Sequence, residues 1–487
     1  MMLALALALV QEAVLRGEVV DADTGRPLPC RLYIDGPDGK RHTARSSGAI
    51  PYVKERRDGI AEVHTTLPAG PFEAPLTAGT YTLTAERGKE YRTETVRAEA
   101  GASITVKLRR WTDAAARGWW SGETHVHRPA DELPLLQLAE DLNVAFPFST
   151  WALKAGEVPV EKTPVTPALV RVDDTHVYWP RNTEYEIFSV GGKSHTLGAV
   201  FILGHRALPS LGAPPIRPAV DALRGEGVLL ELDKHNWPWS MMLVPVLNVD
   251  LYELANNHHW RTDFGFRDFG EREAEWMGVE RDARGWTEAG WTEFGFRNYY
   301  ALLNCGFRLR PTAGSASGVH PVPLGYGRVY VHLDVPFSYE AWMKGLDAGR
   351  SFVTTGPMLY LDARPVTGGL RVLGSVENPS PLSRVEIVVN GSPLREIKAG
   401  AVDETVAVDE TSWVAVRAYD GKRFAHSAPW WIDVPGKPLR PRKQEVEYLL
   451  KRVEDQLARN TGVLSEPALD EYRGAAAAYR KLLETAR

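Results

Sequence analysis

The chain has 487 residues, 44% apolar and 24% charged, which excludes a mostly disordered or fibrous protein and exceeds what one hydrophobic core supports. Its 57 basic and 62 acidic residues leave a formal charge of −5 with the signs mixed, so no electrostatic footprint for nucleic acid stands out. Two cysteines, Cys30 and Cys305, exclude a disulfide framework and a cysteine-based metal knuckle.

The opening Met-Met-Leu-Ala-Leu-Ala-Leu-Ala-Leu-Val is too short to span a bilayer, which takes about 20 apolar residues. It fits the apolar centre of a secretory signal, so residues 1–13 are read as a signal segment and the protein as exported, periplasmic or extracellular. No other segment is long and apolar enough for a membrane span.

Residues 14–110 read as all-β. In Thr80-Tyr-Thr-Leu-Thr-Ala85 the alternation puts Tyr81, Leu83 and Ala85 on one face, and Ile104, Val106 and Leu108 repeat the same period of two. A short strand, the turn pattern from Asp21 to Leu28, and the Ala78-Gly-Thr-Tyr81 start of a strand together resemble the carboxypeptidase-regulatory-like β-sandwich. That resemblance implies an accessory domain without chemistry of its own.

Residues 111–362 form the largest block. Apolar runs end in ligand-type residues: Trp119-Trp120 before His125 and His127, Val228-Leu-Leu-Glu-Leu232 before Asp233 and His235, Leu251-Tyr-Glu-Leu254 before Asn256, Asn257 and His258. In α/β barrels chemistry sits just past the carboxyl ends of strands. Leu133–Leu142 and Phe337–Ala348 are the best helix candidates, and 263–296 reads as a long excursion over the barrel mouth. Residues 363–436 return to β patterning, with a strand into the Asn390-Gly391 turn and another at 413–418. After a Pro-rich linker, residues 437–487 carry two helical stripes, Val446–Leu457 and Leu469–Tyr479, read as a hairpin without chemistry.

Two histidines two residues apart on a strand share a face, so His125 and His127 can grip one cation. The run Ser121-Gly-Glu-Thr-His-Val-His127, with Ala348-Gly-Arg-Ser-Phe-Val-Thr-Thr-Gly-Pro-Met358 closing the block downstream, resembles the PHP metallohydrolases, and within them the CehA/McbA branch. The resemblance implies a central distorted (βα)7 barrel, which the patterning on either side flanks with two β-sandwich domains and a C-terminal helical hairpin. It implies one or two divalent ions (Zn, Mn or Fe) held by His125, His127, Glu184, His235 and His258, with Glu186 beside Glu184 as an alternative. Asp233, Lys234 and His235 are the catalytic candidates, the register between Lys234 and His235 being open. Where the family often reads Gly-Ser-Asp-Ser-His, this chain has Ala316 and Gly318, with His320 two residues late, which implies fewer ions. The expected activity is hydrolysis of an ester, amide, carbamate or phosphoester bond in a small-molecule or glycan-like substrate. The alternative is a barrel that lost catalysis and binds a glycan or partner. Oligomeric state is left open.

Overall fold

The protein, a computed structural model, is described over residues 12–55, 59, 61–225, 227–259 and 267–487. The expected signal segment falls outside these residues up to residue 11, as does part of the excursion expected at 263–296. The chain divides into two compact units, Met1–Ala114 with Pro129–Leu142, and Ala115–Arg128 with Asn143–Arg487.

The first unit is a β-sandwich. Glu12–Asp21 pairs Pro71–Thr77 antiparallel and Ser103–Leu108 in parallel, while Cys30–Asp35, Ala61–Leu67 and Thr80–Glu86 centre the facing sheet. Tyr81, Leu83 and Ala85 are buried with Leu15, Phe72 and Val106, and the threonines between them face outward. The turn pattern has a local cause: Asp21 Oδ1 accepts from Thr24 N at 2.8 Å and Asp23 N at 3.1 Å, and Gly25 follows at φ +72°. The helix Leu133–Glu140 belongs to this unit, held by Arg31, which bonds both Glu86 at 2.7 Å and Glu140.

In the second unit Trp119–Val126 pairs Val144–Pro147 in parallel and Arg328–His332 antiparallel. A further sheet runs through Thr150–Lys154, Thr183–Val190, Lys193–Leu203, Leu229–Leu232, Leu251–Ala255 and Arg310–Ala313. The segment following Arg310–Ala313 lies along the histidine strand: Ala316 N donates to His125 O and His127 N to Ser317 O, each at 2.9 Å. On the other side Phe148 N, just past Val144–Pro147, donates to Val126 O at 2.9 Å, and the chain passes from there into Thr150–Lys154 of the second sheet. Phe201, Leu230, Leu232 and Leu251 are buried in the core of this unit.

Seven alternating βα units are not what the described residues show. Thr183–Val190, Lys193–Leu203 and Leu229–Leu232 are antiparallel neighbours. The first two are joined by Gly191-Gly192 at φ +56° and +76°, a two-residue reversal that only glycine makes cheaply and that leaves no room for a helix. Parallel order holds from Leu229–Leu232 through the helix Ser240–Leu247 to Leu251–Ala255, then through the helix Glu288–Asn304 to Arg310–Ala313. That second helix corrects the long excursion: from residue 288 on, the chain is helical. Thr287 Oγ1 caps it by accepting from Gly290 N at 3.0 Å, and Trp291, Phe294 and Phe296 are buried.

The expected helix near 337–348 is Tyr339–Asp347, capped by Ser338 and burying Trp342 and Leu346. Ser351–Thr354 extends the sheet of the histidine strand through Arg423–Ser427 to Ser412–Asp420 and Arg384–Val389, and Met358–Val366, Gly369–Glu377 and Gly400–Ala407 form a separate three-stranded sheet. Helices Lys443–Asn460 and Glu466–Leu483 form a hairpin that packs on Ser240–Leu247, where Tyr479 Oη donates to Met241 O at 2.9 Å.

Candidate metal centre

The pairing of Trp119–Val126 with Val144–Pro147 slips between Glu123 and Val126. Bulges of this kind re-aim side chains, and here the slip falls where the histidines leave the strand. Behind His125 the chain is Gly314: a Cβ there would lie 2.2 Å from His125 Cβ and 2.8 Å from Glu253 Oε1. Only glycine lets the segment after Arg310–Ala313 pass that close. Glu123 braces the same segment, its Oε1 accepting from Ser315 N at 2.6 Å and its Oε2 from Gly325 N. Burial lifts the Glu123 carboxyl to about 7 despite those bonds.

His125 Nδ1 lies 2.9 Å from Glu253 Oε2. An accepting carboxylate there places the ring proton on Nδ1 and leaves the Nε2 lone pair facing inward, as in carboxylate–histidine pairs around metals. His125 Nε2 is 3.2 Å from His127 Nε2, and His127 Nε2 is 3.3 Å from Glu184 Oε2. Donors about 2.0–2.1 Å from a tetrahedral ion stand about 3.3–3.4 Å apart. Asp233 joins the cluster, 3.9 Å from His125 Nδ1. Ligand atoms group as His125/His127/Glu184, His125/Asp233/Glu253 and Glu184/Glu186/Asp233, each group within 4.8 Å.

The charges in this pocket do not balance. Glu184, Asp233 and Glu253 are at most 1% exposed, with Glu186 beside them, against the ammonium of Lys234. Burial, and then the Asp233 charge, push the Glu184 and Glu253 carboxyls well above the usual range; burial and then Glu184 do the same to Glu186. Burial and the neighbouring His127 and Lys234 hold His125 well below an ordinary imidazole, hence neutral. Glu184 Oε2 and Glu253 Oε1 are buried without a hydrogen-bond partner. Neutral imidazoles, crowded carboxylates and orphaned oxygens together are what a divalent cation satisfies. The residues fit such an ion.

Lys234 Nζ sits 2.6 Å from both Asp233 oxygens, and Trp237 Nε1 donates to Asp233 Oδ2 at 2.7 Å. Burial works against the Lys234 charge, but Asp233, Glu253 and Glu186 outweigh it and hold the ammonium above its ordinary value. Lys234 and Glu186 also wall a cavity of about 550 Å³, with Trp237, Phe269, His258 and His320.

The structure therefore brings His125, His127, Glu184, Glu186, Asp233 and Lys234 together. His235 points elsewhere: its ring packs on Trp291 and Phe294, 4.5 and 4.7 Å between centroids. His258 stacks between Phe269 and Trp291 on the cavity wall and is in none of the three groups. His320 also lines the cavity. At Gly318 a Cβ would meet His127 O at 2.5 Å, so no side chain can project from that backbone. Sequence reasoning missed Glu253, although a lone acid inside the apolar run Leu251-Tyr-Glu-Leu254 is a signal in itself. It read the last helices as a hairpin without chemistry and so missed their part in the site: Arg452 donates to His235 O at 2.7 Å and Trp237 O at 2.9 Å, and Gln456 and Arg459 line the cavity.

No family model matches this chain, and no curated protein does. Among solved structures, a two-domain protein from Bacteroides vulgatus ATCC 8482, described as containing a predicted PHP-like metal-dependent phosphoesterase, is similar over 65% of this chain and 95% of its own, at 10% identity and a TM-score of 0.30. At those values the likeness carries nothing about chemistry.

Proposed function

We propose that this protein is an exported, divalent-metal-dependent hydrolase of the PHP type, nearest in motif to the CehA/McbA branch, acting on an ester, amide, carbamate or phosphoester bond. The observation that supports it is the convergence of His125 Nε2, His127 Nε2 and Glu184 Oε2, at 3.2 and 3.3 Å, where Glu184 Oε2 and, behind His125, Glu253 Oε1 are buried without a hydrogen bond. A divalent ion supplies Lewis acidity toward a carbonyl or phosphoryl oxygen and lowers the pKa of water to about 7. His125, His127 and Glu184 would hold it, and Glu253 fixes the tautomer of His125. Asp233, bonded by Lys234 and Trp237, would hold both of them next to the ligands. Lys234, on the cavity wall, presents positive charge to an oxygen that becomes anionic. Phe269 and Trp237 offer apolar faces to the rest of the substrate.

One observation favours the second reading, a glycan- or partner-binding barrel: the backbone at Gly318 has no room for a ligand side chain. Hydrolysis assays decide. Purified protein stripped with a chelator and reloaded with Zn²⁺, Mn²⁺ or Fe²⁺ is assayed on aryl phosphates, esters, amides and carbamates. The hydrolase reading expects activity on one class that chelation abolishes, the same ion restores, and His125→Ala/His127→Ala lacks. Metal-independent inactivity on every class, with intact binding of a glycan panel, contradicts it.

A further inference from the structure

The acidic cluster is larger than one ion needs. Glu184, Glu186 and Asp233 bring ligand oxygens within 4.8 Å of one another, a donor set distinct from the histidine group and joined to it through Glu184. By donor count this is room for a second cation, yet one is already there. Lys234 Nζ lies 2.6 Å from Asp233 Oδ1 and 2.6 Å from Oδ2, its side chain 4% exposed and Asp233 fully buried. A carboxylate gripped symmetrically at that distance by an ammonium has its strongest acceptor directions used. An incoming divalent ion would have to displace the ammonium or stand beside it, two positive charges sharing one buried carboxylate at high cost.

We propose that Lys234 is a built-in cation standing in for a second metal ion, so that the centre takes one divalent ion per chain. This rests on the metal-centre reading above and goes beyond it by fixing the number of ions and naming the residue that sets it. Two features of the chain agree with it. The segment that passes along His125 and His127 offers no acid or imidazole at Ala316 and Gly318, and Gly318 cannot carry one against His127 O at 2.5 Å. The ammonium cannot drift away either: Trp237, which bonds the same Asp233, has its ring centroid 5.6 Å from Lys234 Nζ, and the loop is clamped through Arg452 to His235 O and Trp237 O. A lysine in this place has a chemical consequence. It supplies charge that does not dissociate on chelation, and it offers N–H donors to the cavity where a metal would offer an open coordination position.

The test is metal stoichiometry in the full-length protein. Wild type, Lys234→Ala and Lys234→Arg are loaded with Mn²⁺, freed of excess, and measured by elemental analysis and by electron paramagnetic resonance, with circular dichroism as the check on folding. The expected results are about one Mn²⁺ per chain with an uncoupled six-line spectrum for wild type and Lys234→Arg. Lys234→Ala, with both Asp233 oxygens freed of the ammonium, should take about two and show a spin-coupled pair. Two ions in the wild type would overturn the proposal while leaving the metal centre standing, and so would a folded Lys234→Ala that still holds one. No bound ion in any of the three would overturn the metal centre itself. Should Lys234→Ala fail to fold, Lys234→Gln, which keeps the side-chain volume without the charge, takes its place with the same expectation.

Discussion

Gly314 shows how closely the centre is built. A methyl group there would lie 2.2 Å from His125 Cβ and 2.8 Å from Glu253 Oε1, so Gly314→Ala must push apart the pair that orients the ring. The expected cost is about 1–3 kcal/mol of stability, with metal affinity at least tenfold weaker by titration calorimetry; unchanged affinity would mean that His125 is not a ligand. Glu253 acts through His125 rather than alone, and Glu253→Gln should weaken metal binding by about 10–100-fold without unfolding the protein. An affinity equal to wild type would remove Glu253 from the centre. His125 and His127 were legible because the strand period of two puts them on one side. The register at Asp233-Lys234-His235 was not, since Leu229–Leu232 is buried on both faces and offers no alternation to tell inward from outward. Glu253 was hidden in the same way, inside a wholly buried strand.

At the scale of elements, the last helices do more than cap the molecule. Lys443–Asn460 buries Arg452, 4% exposed, whose guanidinium donates to His235 O and Trp237 O. These bonds hold the loop that carries Asp233 and Lys234. Arg452→Met should cost about 3 kcal/mol, since two hydrogen bonds from a charged group are lost and two buried carbonyls are left short of donors. Chemical denaturation measures the stability, and hydrogen exchange should show faster opening at 233–239 than elsewhere; equal protection there would contradict the clamp. The hairpin itself could be read from the Val446–Leu457 and Leu469–Tyr479 stripes, because amphipathic spacing is local. Its contribution to the cavity could not, because Gln456 and Arg459 reach residues far earlier in the chain, such as Glu271, bonded to Gln456 at 2.7 Å. The Gly191-Gly192 turn was visible as a dipeptide, yet its effect of turning βα order into an antiparallel pair depends on which strands neighbour it. Alternation along 80–85 exposed the sandwich because one face of that sheet meets solvent and the other a core.

At the scale of the whole molecule, the large second unit also buries a histidine, His426, that is in none of the three ligand groups. Burial, helped by the nearby Arg417 charge, holds His426 down at about 3 even though Nδ1 donates to Ser427 O at 2.7 Å; Nε2 accepts from Tyr300 at 2.8 Å. Its pKa in the unfolded chain is the ordinary 6.5. A depressed histidine leaves stability intact above the unfolded value and loses it as pH falls from about 6.5 toward about 3, by about 1.4 kcal/mol per pH unit. Between about pH 7.5 and 4.5 this one residue should account for about 2–3 kcal/mol. His426→Gln should therefore show a shallower acid decline of urea stability than wild type; parallel declines would mean that the imidazole is already charged in the folded protein.

The proposed centre is one ion between two imidazoles and a carboxylate. Crystals of the full chain soaked in Mn²⁺ or Zn²⁺, with anomalous data at the metal edge, test it most directly. One strong peak is expected within about 2.0–2.3 Å of His125 Nε2, His127 Nε2 and a Glu184 oxygen. A map with no peak there, or with its metal bound at another place on the chain, would contradict it.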